Sequence, residues 1–336
     1  MKKGTAAFFI SRCHWHKFFS IVLTVKTASW FSYVIITLMK RAFFVLITLA
    51  IIAIFGISAC TAKGNNQQNQ SDTNQTIENK GSDTMINLAL AWAEEYQKQH
   101  SEVRISVSGG GTGIGLAALA NNTVDIANAS REIKSEEKQL AEKNGITPKE
   151  FIVARDAIAV IVHPRNPVSQ LTLEQISLIY RGKINNWSEV GGENRPIVRL
   201  SRETNSGTHV YFLETVVRLG DKKDKSLFSP NTLLLPSSEG IITETSDNPN
   251  AIGYDGLGYV APSVKTIAIA GKIGEHYVLP AVATVNDKTY PISRDLYMYT
   301  PGEPQGTILD YLKWVRSTEA QQIVTNLGFV PILGNP

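Results

Sequence analysis

Hydroxyl groups and glycines concentrate in four short segments of the sequence, at residues 81–84, 108–113, 125–131 and 202–208. In each segment, small polar residues stand at or near the start of a helical pattern. Free backbone N–H groups at a helix start carry partial positive charge, and an anion placed there gains both hydrogen bonds and dipole attraction. The four segments therefore predict a site for an oxyanion, held by amides and hydroxyls.

The first two segments each have a simpler interpretation. Ser82, Asp83 and Thr84 are residue types that commonly cap helices, so they could serve only that purpose. The glycines from Ser108 to Gly113 let the backbone approach a ligand closely, but they also suit an ordinary tight turn. This run fits neither GxGxxG nor GxxxxGK[ST], which argues against a nucleotide site.

The last two segments add guanidinium groups. A buried strand pattern runs into Ser130 and Arg131, although an isolated Arg131 also fits an ordinary surface position. Arg202 lies four residues before a Ser-Gly-Thr helix start. Arginine can form bidentate contacts with an anion, and a helix start offers further donors opposite it. The 202–208 segment is therefore the most specific local signal in the chain.

The elements that must position these segments alternate along the chain. Apolar periodicity predicts helices at residues 84–100, 114–120, 135–143, 173–180, 207–219, 307–316 and 319–327. Short apolar runs predict strands at residues 103–107, 124–127, 157–162, 197–200, 251–260, 266–270 and 294–299. This order predicts an α/β fold with a mostly parallel sheet covered on both faces.

Charge and cysteine usage exclude several classes of function. The chain has 33 Lys and Arg against 30 Asp and Glu, but seven of the cations and none of the anions precede Cys60. The remainder carries 26 cations and 30 anions, a net charge of about −4, which disfavours nucleic acid as a partner. Both cysteines, Cys13 and Cys60, lie in the apolar N-terminal region, so the folded part has no cysteine metal site. The six histidines form no HExxH pair, and we expect no metal centre.

The N-terminal region has the pattern of a targeting sequence. Residues 39–41 are Met-Lys-Arg, and an apolar run leads to Ile57-Ser58-Ala59-Cys60. This pattern predicts a signal peptide at 39–59, and its end resembles a lipobox, which implies lipidation of Cys60 and membrane attachment at about 0.8 kcal/mol per buried methylene. The alternative is an uncleaved transmembrane helix. We interpret residues 1–38 as an extension from a mis-assigned start, and the polar stretch 60–76 as a flexible tether.

The four segments, in this order, resemble the periplasmic phosphate-binding proteins of Pst-type ABC transporters. The segments 156–167 (DAIAVIVHPRNP), 171–187 (LTLEQISLIYRGKINNW) and 251–259 (AIGYDGLGY) share the resemblance, which extends over nearly all of the chain after residue 77. It implies a type II periplasmic binding protein fold, with two α/β lobes joined by two crossing strands. Lobe one would comprise residues 77–157 and 258–336, and lobe two residues 158–257.

The resemblance also implies which residues bind phosphate without a metal or cofactor: Ser82, Asp83, Thr84, Thr112, Gly113, Ser130, Arg131, Arg202, Ser206, Gly207 and Thr208. Two positions depart from the family pattern. Ser130 stands where several members have an Asp that accepts the phosphate proton, and Asp83 is the nearest replacement. Thr204 stands where the family often has an acid that orients the arginine, and Glu203 is the candidate for that task.

By resemblance, we expect a monomeric binding protein, and not an enzyme, that delivers inorganic phosphate to the permease subunits of an ABC transporter. It would be lipid-anchored to the cell membrane on the extracytoplasmic face. The alternatives are a binding protein for sulfate or molybdate, a phosphatase-like enzyme or serine hydrolase using Ser206, and a surface sensor or adhesin that reuses the fold.

Overall fold

The computed structural model describes residues 75–332. The predicted extension (1–38), the signal peptide (39–59), the lipidation site Cys60 and all but the last two residues of the tether (60–76) lie outside this range. Across residues 75–332, each helix is too short or too polar to cross a bilayer.

Eleven strands and nine α-helices make up the described part. The strands are β1 (Gln75–Gly81), β2 (Val103–Ser108), β3 (Ile126–Ala129), β4 (Lys149–Val162), β5 (Gln170–Thr172), β6 (Val198–Arg202), β7 (Leu233–Leu235), β8 (Ala251–Gly256), β9 (Lys265–Thr266), β10 (Ala268–Ala270) and β11 (Ser293–Thr300). The helices are α1 (Ile86–Gln99), α2 (Thr112–Ala120), α3 (Ser135–Lys143), α4 (Leu173–Tyr180), α5 (Gly207–Phe212), α6 (Ser238–Asp247), α7 (Val282–Asn286), α8 (Gly306–Val315) and α9 (Thr318–Asn326).

The main sheet has the strand order β2-β1-β3-β11-β4-β8-β6-β7, with β9 paired to β4. Strand β1 runs parallel to β2 and β3, and β6 runs parallel to β7 and β8. Strands β11 and β4, in contrast, pair antiparallel with each other, β11 is antiparallel to β3, and β4 is antiparallel to β8. The sheet is therefore mixed, because two long strands return through its middle, and the prediction of a mostly parallel sheet holds only for its two ends.

Strand β4 changes its partner halfway along. Residues 149–157 pair with β11, and residues 158–162 pair with β8. Two large apolar cores lie on either side of this change, one built around Trp92 and Tyr311 and the other around Tyr180 and Phe212. A single strand thus contributes to both halves of the molecule, and it begins eight residues earlier than the predicted strand 157–162.

One stretch differs from the predicted lobe assignment. Strand β10 pairs with β5, strand β9 pairs with residues 161–162 of β4, and Ile267, Ile269 and Val285 pack in the second core. Residues 265–292 therefore lie with the second half of the molecule, whereas we had expected them in lobe one. The reason is the short two-stranded sheet of β5 and β10, which no local pattern indicates.

The elements around the predicted site follow from local sequence. Helix α1 buries Leu88, Trp92 and Tyr96 on one face, as its apolar spacing predicts. Strand β8 is buried at all six residues, which agrees with its continuous apolar run. The sequence did not indicate β1 or α6, because QTIENKG and SEGIITETSD are mostly polar.

Candidate anion-binding site

Three hydroxyl groups from three of the predicted segments meet in the interior. The Ser82 Oγ donates to the Ser130 Oγ at 2.9 Å, and the Thr112 Oγ1 lies 3.3 Å from the same Ser130 oxygen. The Ser130 backbone N–H also donates to the Thr112 Oγ1 at 3.1 Å. All three residues are at most 2% exposed. Buried hydroxyls need partners, and here they find them in one another.

The fourth segment joins this cluster through Gly207 and Thr208. A Cβ atom added at Gly207 would lie 2.4 Å from the Thr112 Oγ1 and 2.5 Å from the Ser130 Oγ, so only glycine fits this contact. The Thr208 Oγ1 lies 2.8 Å from the Thr84 Oγ1, and both side chains are buried. The structure thus brings the four segments together, although 124 residues separate Thr84 from Thr208.

The simple capping interpretation of the first segment is wrong. Ser82 precedes the short 3-10 turn Asp83–Met85, yet its side chain makes no capping hydrogen bond and turns to Ser130. The Asp83 carboxylate does not cap its own helix either: its Oδ1 accepts the Gly110 N–H at 2.9 Å, and its Oδ2 pairs with the Arg202 Nη2 at 2.7 Å. Ser206, by contrast, does cap its helix, since its Oγ accepts the His209 N–H.

The glycine segment packs directly on the 202–208 segment. Gly110 and Gly111 have φ values of 114° and 93°, a conformation that only glycine adopts readily and that tight turns commonly require. The Asn205 Nδ2 donates to the Gly110 carbonyl at 2.8 Å, and the Gly113 N–H donates to the Asn205 carbonyl at 3.0 Å. The Gly113 amide, predicted to bind the anion, is therefore engaged by Asn205.

The guanidinium of Arg202 is almost fully used by protein groups. Four of its five N–H donors form hydrogen bonds: with the carbonyls of Leu235 and Pro236, the Ser238 Oγ and the Asp83 Oδ2. The side chain is 1% exposed. Arg202 thus reaches the cluster as a fixed buried charge, with at most one donor left for a ligand.

Two carboxylates, and not Glu203, orient Arg202. Besides Asp83, the Asp255 Oδ2 lies 3.7 Å from the Arg202 Nη1, and Ser238 links the two by accepting from Arg202 and donating to the Asp255 Oδ1 at 3.0 Å. Glu203 is exposed, so the expectation that it orients Arg202 is wrong. The reason is that β8 and β6 are neighbouring strands, so Asp255 near the end of β8 lies beside Arg202 at the end of β6.

A second buried ion pair lies on the other side of the hydroxyl cluster. The Arg294 Nη2 is 2.9 Å from the Asp156 Oδ2, and both residues are buried. Burial raises the pKa of the Asp156 carboxyl to about 6, and the charge of Arg294 partly offsets this effect. Burial likewise raises the pKa of Asp255, with Arg202 opposing the shift. Ionisation of the Asp156 and Asp255 carboxyls is therefore less favourable in the site than it is in water.

Arg131, a predicted ligand, and His209, the histidine nearest Ser206, bind other partners. The Arg131 guanidinium forms a two-pronged ion pair with Glu137, at 2.6 Å and 2.8 Å, and also donates to the Glu132 carbonyl. The structure does not bring that group into the hydroxyl cluster. The His209 Nδ1 lies 2.8 Å from the Arg202 carbonyl and 3.0 Å from the Ser201 Oγ, so its ring faces away from Ser206.

Four polar residues of the site escaped the sequence interpretation: Asp156, Ser238, Asp255 and Arg294. Asp156 and Asp255 had a usable signal, because each is a lone acid within an apolar strand pattern. A charge in such a position is costly unless it is paired. Ser238 and Arg294 carried no comparable signal, since Ser238 begins an unpredicted helix and Arg294 lies near the start of an ordinary strand.

Proteins similar to this chain in sequence and fold include several phosphate-binding proteins. Residues 66–319 match the PBP superfamily domain. The phosphate-binding protein PstS of Pseudomonas aeruginosa is 34% identical over 282 residues, which cover 79% of this chain and 85% of that protein. PstS of Bacillus subtilis is 28% identical over 306 residues, covering 88% of this chain and 95% of the relative.

Two solved structures of phosphate-transport proteins are similar to this chain in sequence and fold. A Clostridium perfringens protein, described as a phosphate ABC transporter substrate-binding protein and solved with bound phosphate, superimposes with a TM-score of 0.69 at 32% identity; the match covers 77% of this chain and all of that one. An ABC-type phosphate transport receptor from Vibrio cholerae gives a TM-score of 0.61 at 29% identity, over 76% of this chain and 99% of the receptor. These matches confirm the type II periplasmic binding protein fold, and the chain belongs to the PstS family of phosphate-binding proteins.

Proposed function

We propose that this protein binds inorganic phosphate in the buried cluster formed by the four segments and delivers it to an ABC importer. The observation that carries the proposal is the convergence of the Ser82, Thr84, Thr112, Ser130 and Thr208 hydroxyls in one interior site. Relatives that share this fold are phosphate-binding proteins, and one was solved with phosphate bound.

Neutral donors suit a fully desolvated anion. Stripping water from a phosphate ion costs tens of kcal/mol unless protein groups replace it, so the site must offer many hydrogen-bond donors. Each hydrogen bond to a charged group contributes about 1.5 to 3 kcal/mol net. Because these contributions are net of the exchange with water, several hydroxyls and helix-start amides can together supply the roughly −8 kcal/mol that a micromolar affinity requires.

Of the predicted ligand residues, the geometry favours some over others. Ser82, Thr84, Thr112, Ser130, Gly207 and Thr208 form or border the cluster, and Ser206 begins the same helix. We propose that these residues contact phosphate directly, because a hydroxyl proton that now bonds a neighbouring hydroxyl can rotate toward an anion. Arg202 and Asp83 act beside them as a fixed ion pair. The Gly113 amide and the Arg131 guanidinium, in contrast, are held by the Asn205 carbonyl and by Glu137.

Sulfate and molybdate are the nearest alternative ligands, because both are tetrahedral oxyanions of similar size. Monohydrogen phosphate differs from sulfate in carrying a proton, which a carboxylate can accept. Asp83, in the first segment, is the candidate acceptor for this proton. Both of its carboxylate oxygens, however, already accept hydrogen bonds from protein donors. We therefore propose that Asp83 braces the site, and that selectivity does not depend on it alone.

An enzymatic role for Ser206 gains little support from the geometry. A serine nucleophile needs a base within hydrogen-bonding reach of its Oγ. His209 contacts Ser206 through its backbone N–H, while its ring bonds Ser201 and the Arg202 carbonyl. Burial also lowers the pKa of His209. We propose that the protein is a transport receptor without catalytic activity.

The location of the protein outside the cytoplasm follows from the proposed transport function. A receptor for an importer acts outside the cytoplasmic membrane, and the Ile57-Ser58-Ala59-Cys60 sequence would anchor it there through lipid chains on Cys60. We further propose that it acts as a monomer, with the permease subunits of the transporter as its protein partners.

Calorimetric titration of the purified protein with phosphate, sulfate and arsenate tests the proposed ligand. We expect micromolar or tighter phosphate binding and much weaker sulfate binding. A protein that bound sulfate more tightly than phosphate would contradict the proposal. Turnover of a chromogenic phosphate ester that was lost in Ser206→Ala would instead support the enzymatic alternative.

A further inference from the structure

Arg294 lies immediately behind the hydroxyl cluster and touches two of its segments. Its Nη1 donates to the Ser130 carbonyl at 2.9 Å, and its Nη2 donates to the Thr208 Oγ1 at 2.9 Å. Its side chain is 2% exposed. None of the four motif segments contains this residue, because it is the second residue of strand β11, 86 residues after Thr208.

We propose that Arg294 is a second buried cation of the phosphate site, which fixes the Thr208 hydroxyl as a donor and ties the Ser130 and Thr208 segments together. The proposal rests on the proposed phosphate-binding function. It assigns Arg294 a positioning role, since Arg294 acts through Thr208 and Ser130.

The orientation of the Thr208 hydroxyl depends on the direction of its hydrogen bond with Arg294. A threonine hydroxyl has one proton to donate and two lone pairs that accept. Because an Arg294 N–H occupies a lone pair of the Thr208 Oγ1, the Thr208 proton must point away from the guanidinium. A phosphate oxygen without a proton can only accept hydrogen bonds. When the Thr84 hydroxyl, 2.8 Å away, donates to the other lone pair, Arg294 and Thr84 together leave the Thr208 proton for an anion.

The balance of buried charges around the cluster also supports this role of Arg294. Three largely buried carboxylates, those of Asp83, Asp156 and Asp255, surround the cluster together with the guanidinium groups of Arg202 and Arg294. Asp83 and Asp255 both face Arg202, so that group brings no excess positive charge to the site. Without Arg294, the interior would be more negative still, and a phosphate ion would be repelled more strongly.

The surroundings of Arg294 fix its position. Its Nε and Nη2 both contact the Asp156 Oδ2, at 3.3 Å and 2.9 Å, and its guanidinium lies 5.6 Å from the centre of the Tyr211 ring. Tyr211 is part of helix α5, the helix that begins at Gly207. Arg294 thus connects strands β4 and β11 with the helix whose N-terminus faces the anion.

A pair of neutral substitutions removes the buried cation together with its counter-ion: Arg294→Gln with Asp156→Asn. The net charge of the site is unchanged, so a loss of affinity reports the contacts of Arg294 with Thr208 and Ser130. The matched control is Arg155→Gln with Asp295→Asn. Arg155 pairs with Asp295 at 3.4 Å, one residue along the same two strands, and both side chains are more than a third exposed. We expect phosphate affinity to fall at least tenfold in the Arg294 pair and by less than twofold in the control. Equal affinities in the two pairs would overturn the proposal.

The positioning role has its own test, a double-mutant cycle with Thr208. In a Thr208→Val background there is no hydroxyl to orient, so the Arg294 pair should weaken phosphate binding less than it does in the parent. Thr208→Ser retains the hydroxyl and should restore the full effect. The same loss in all three backgrounds would overturn the orienting role.

Folding and ligand identity are controlled separately. Circular dichroism and thermal unfolding establish whether each variant is folded. If the Arg294 pair does not fold, Arg294→Lys keeps the charge but loses the planar fork, and at least threefold weaker binding is then expected; unchanged affinity would count against the proposal. A parent protein that fails to bind phosphate would reject the proposed function itself, whereas a parent that binds beside an unaffected pair would reject only the role of Arg294.

Discussion

Replacing Gly207 with alanine should block phosphate binding without unfolding the protein. The added Cβ would lie 2.4 Å from the Thr112 Oγ1 and 2.5 Å from the Ser130 Oγ, both in fully buried residues. Gly207 does not have a positive φ, so alanine introduces no backbone strain there. Overpacking costs about 1 to 3 kcal/mol, whereas alanine improves helix propensity by up to about 1 kcal/mol. We expect the free energy of unfolding to fall by about 3 kcal/mol or less.

Binding should suffer far more than stability. The methyl group displaces the Thr112 and Ser130 hydroxyls from the anion, and each hydrogen bond to a charged group contributes about 1.5 to 3 kcal/mol. Losing two of them costs about 3 to 6 kcal/mol, and each 1.4 kcal/mol corresponds to about a tenfold change, so affinity should fall at least about 100-fold.

Calorimetry with phosphate on Gly207→Ala, beside Gly302→Ala, measures this difference. Gly302 also lacks a positive φ, and a Cβ there would meet no atom within 4 Å, so its alanine variant should bind like the parent. If folded Gly207→Ala bound phosphate within threefold of the parent, the packed arrangement of Gly207, Thr112 and Ser130 could not be the one that holds the anion.

Three further substitutions test neighbouring parts of the interpretation. Asp83→Asn loses the charge that holds Arg202, so phosphate and sulfate affinities should both decline with their ratio unchanged; a gain of sulfate binding alone would identify Asp83 as the selector. Asp156 has its pKa raised from 3.8 to about 6, so the folded state keeps a proton that the unfolded state loses, and stability falls as pH rises through that range. Denaturant unfolding should show the stability of the parent relative to Asp156→Asn decreasing by about 3 kcal/mol between about pH 3 and pH 7, and a constant difference would contradict the raised pKa. Cys60→Ser should leave phosphate binding unchanged but release the protein from the membrane fraction, and a serine variant that still sediments with membranes would contradict lipidation.

Local sequence patterns were sufficient for most of the secondary structure and for the choice of anion-binding segments. Helices α3 and α4 begin and end where apolar and charged spacing predicts, and three of the hydroxyl-rich segments, 81–84, 108–113 and 202–208, lead into helical turns as expected, whereas 125–131 ends before α3 begins. These features depend on residues within a few positions of one another. Periodicity and turn chemistry therefore reveal them before any tertiary contact is known.

The pairing of charges could not be obtained in this way. Arg202 meets Asp83 across 119 residues, while Glu203, its immediate neighbour, turns to solvent. Arg131 looked similar to Arg202 as a candidate ligand, yet Glu137 on the following helix captures its guanidinium. Each outcome depends on which strands lie side by side and on which side of the sheet a side chain emerges, and neither is encoded in a short window of sequence.

The sequence by itself thus determined the α/β class, the family resemblance and the four segments that can hold an oxyanion, since all of these depend on residue type and short-range spacing. Only the tertiary structure decided that residues 265–292 join the second half of the molecule, that Asp255 and Ser238 hold Arg202, and that Arg294 lies behind Thr208. A buried charge must find its partner within a few ångströms in space, and folding brings those partners together from distant parts of the chain.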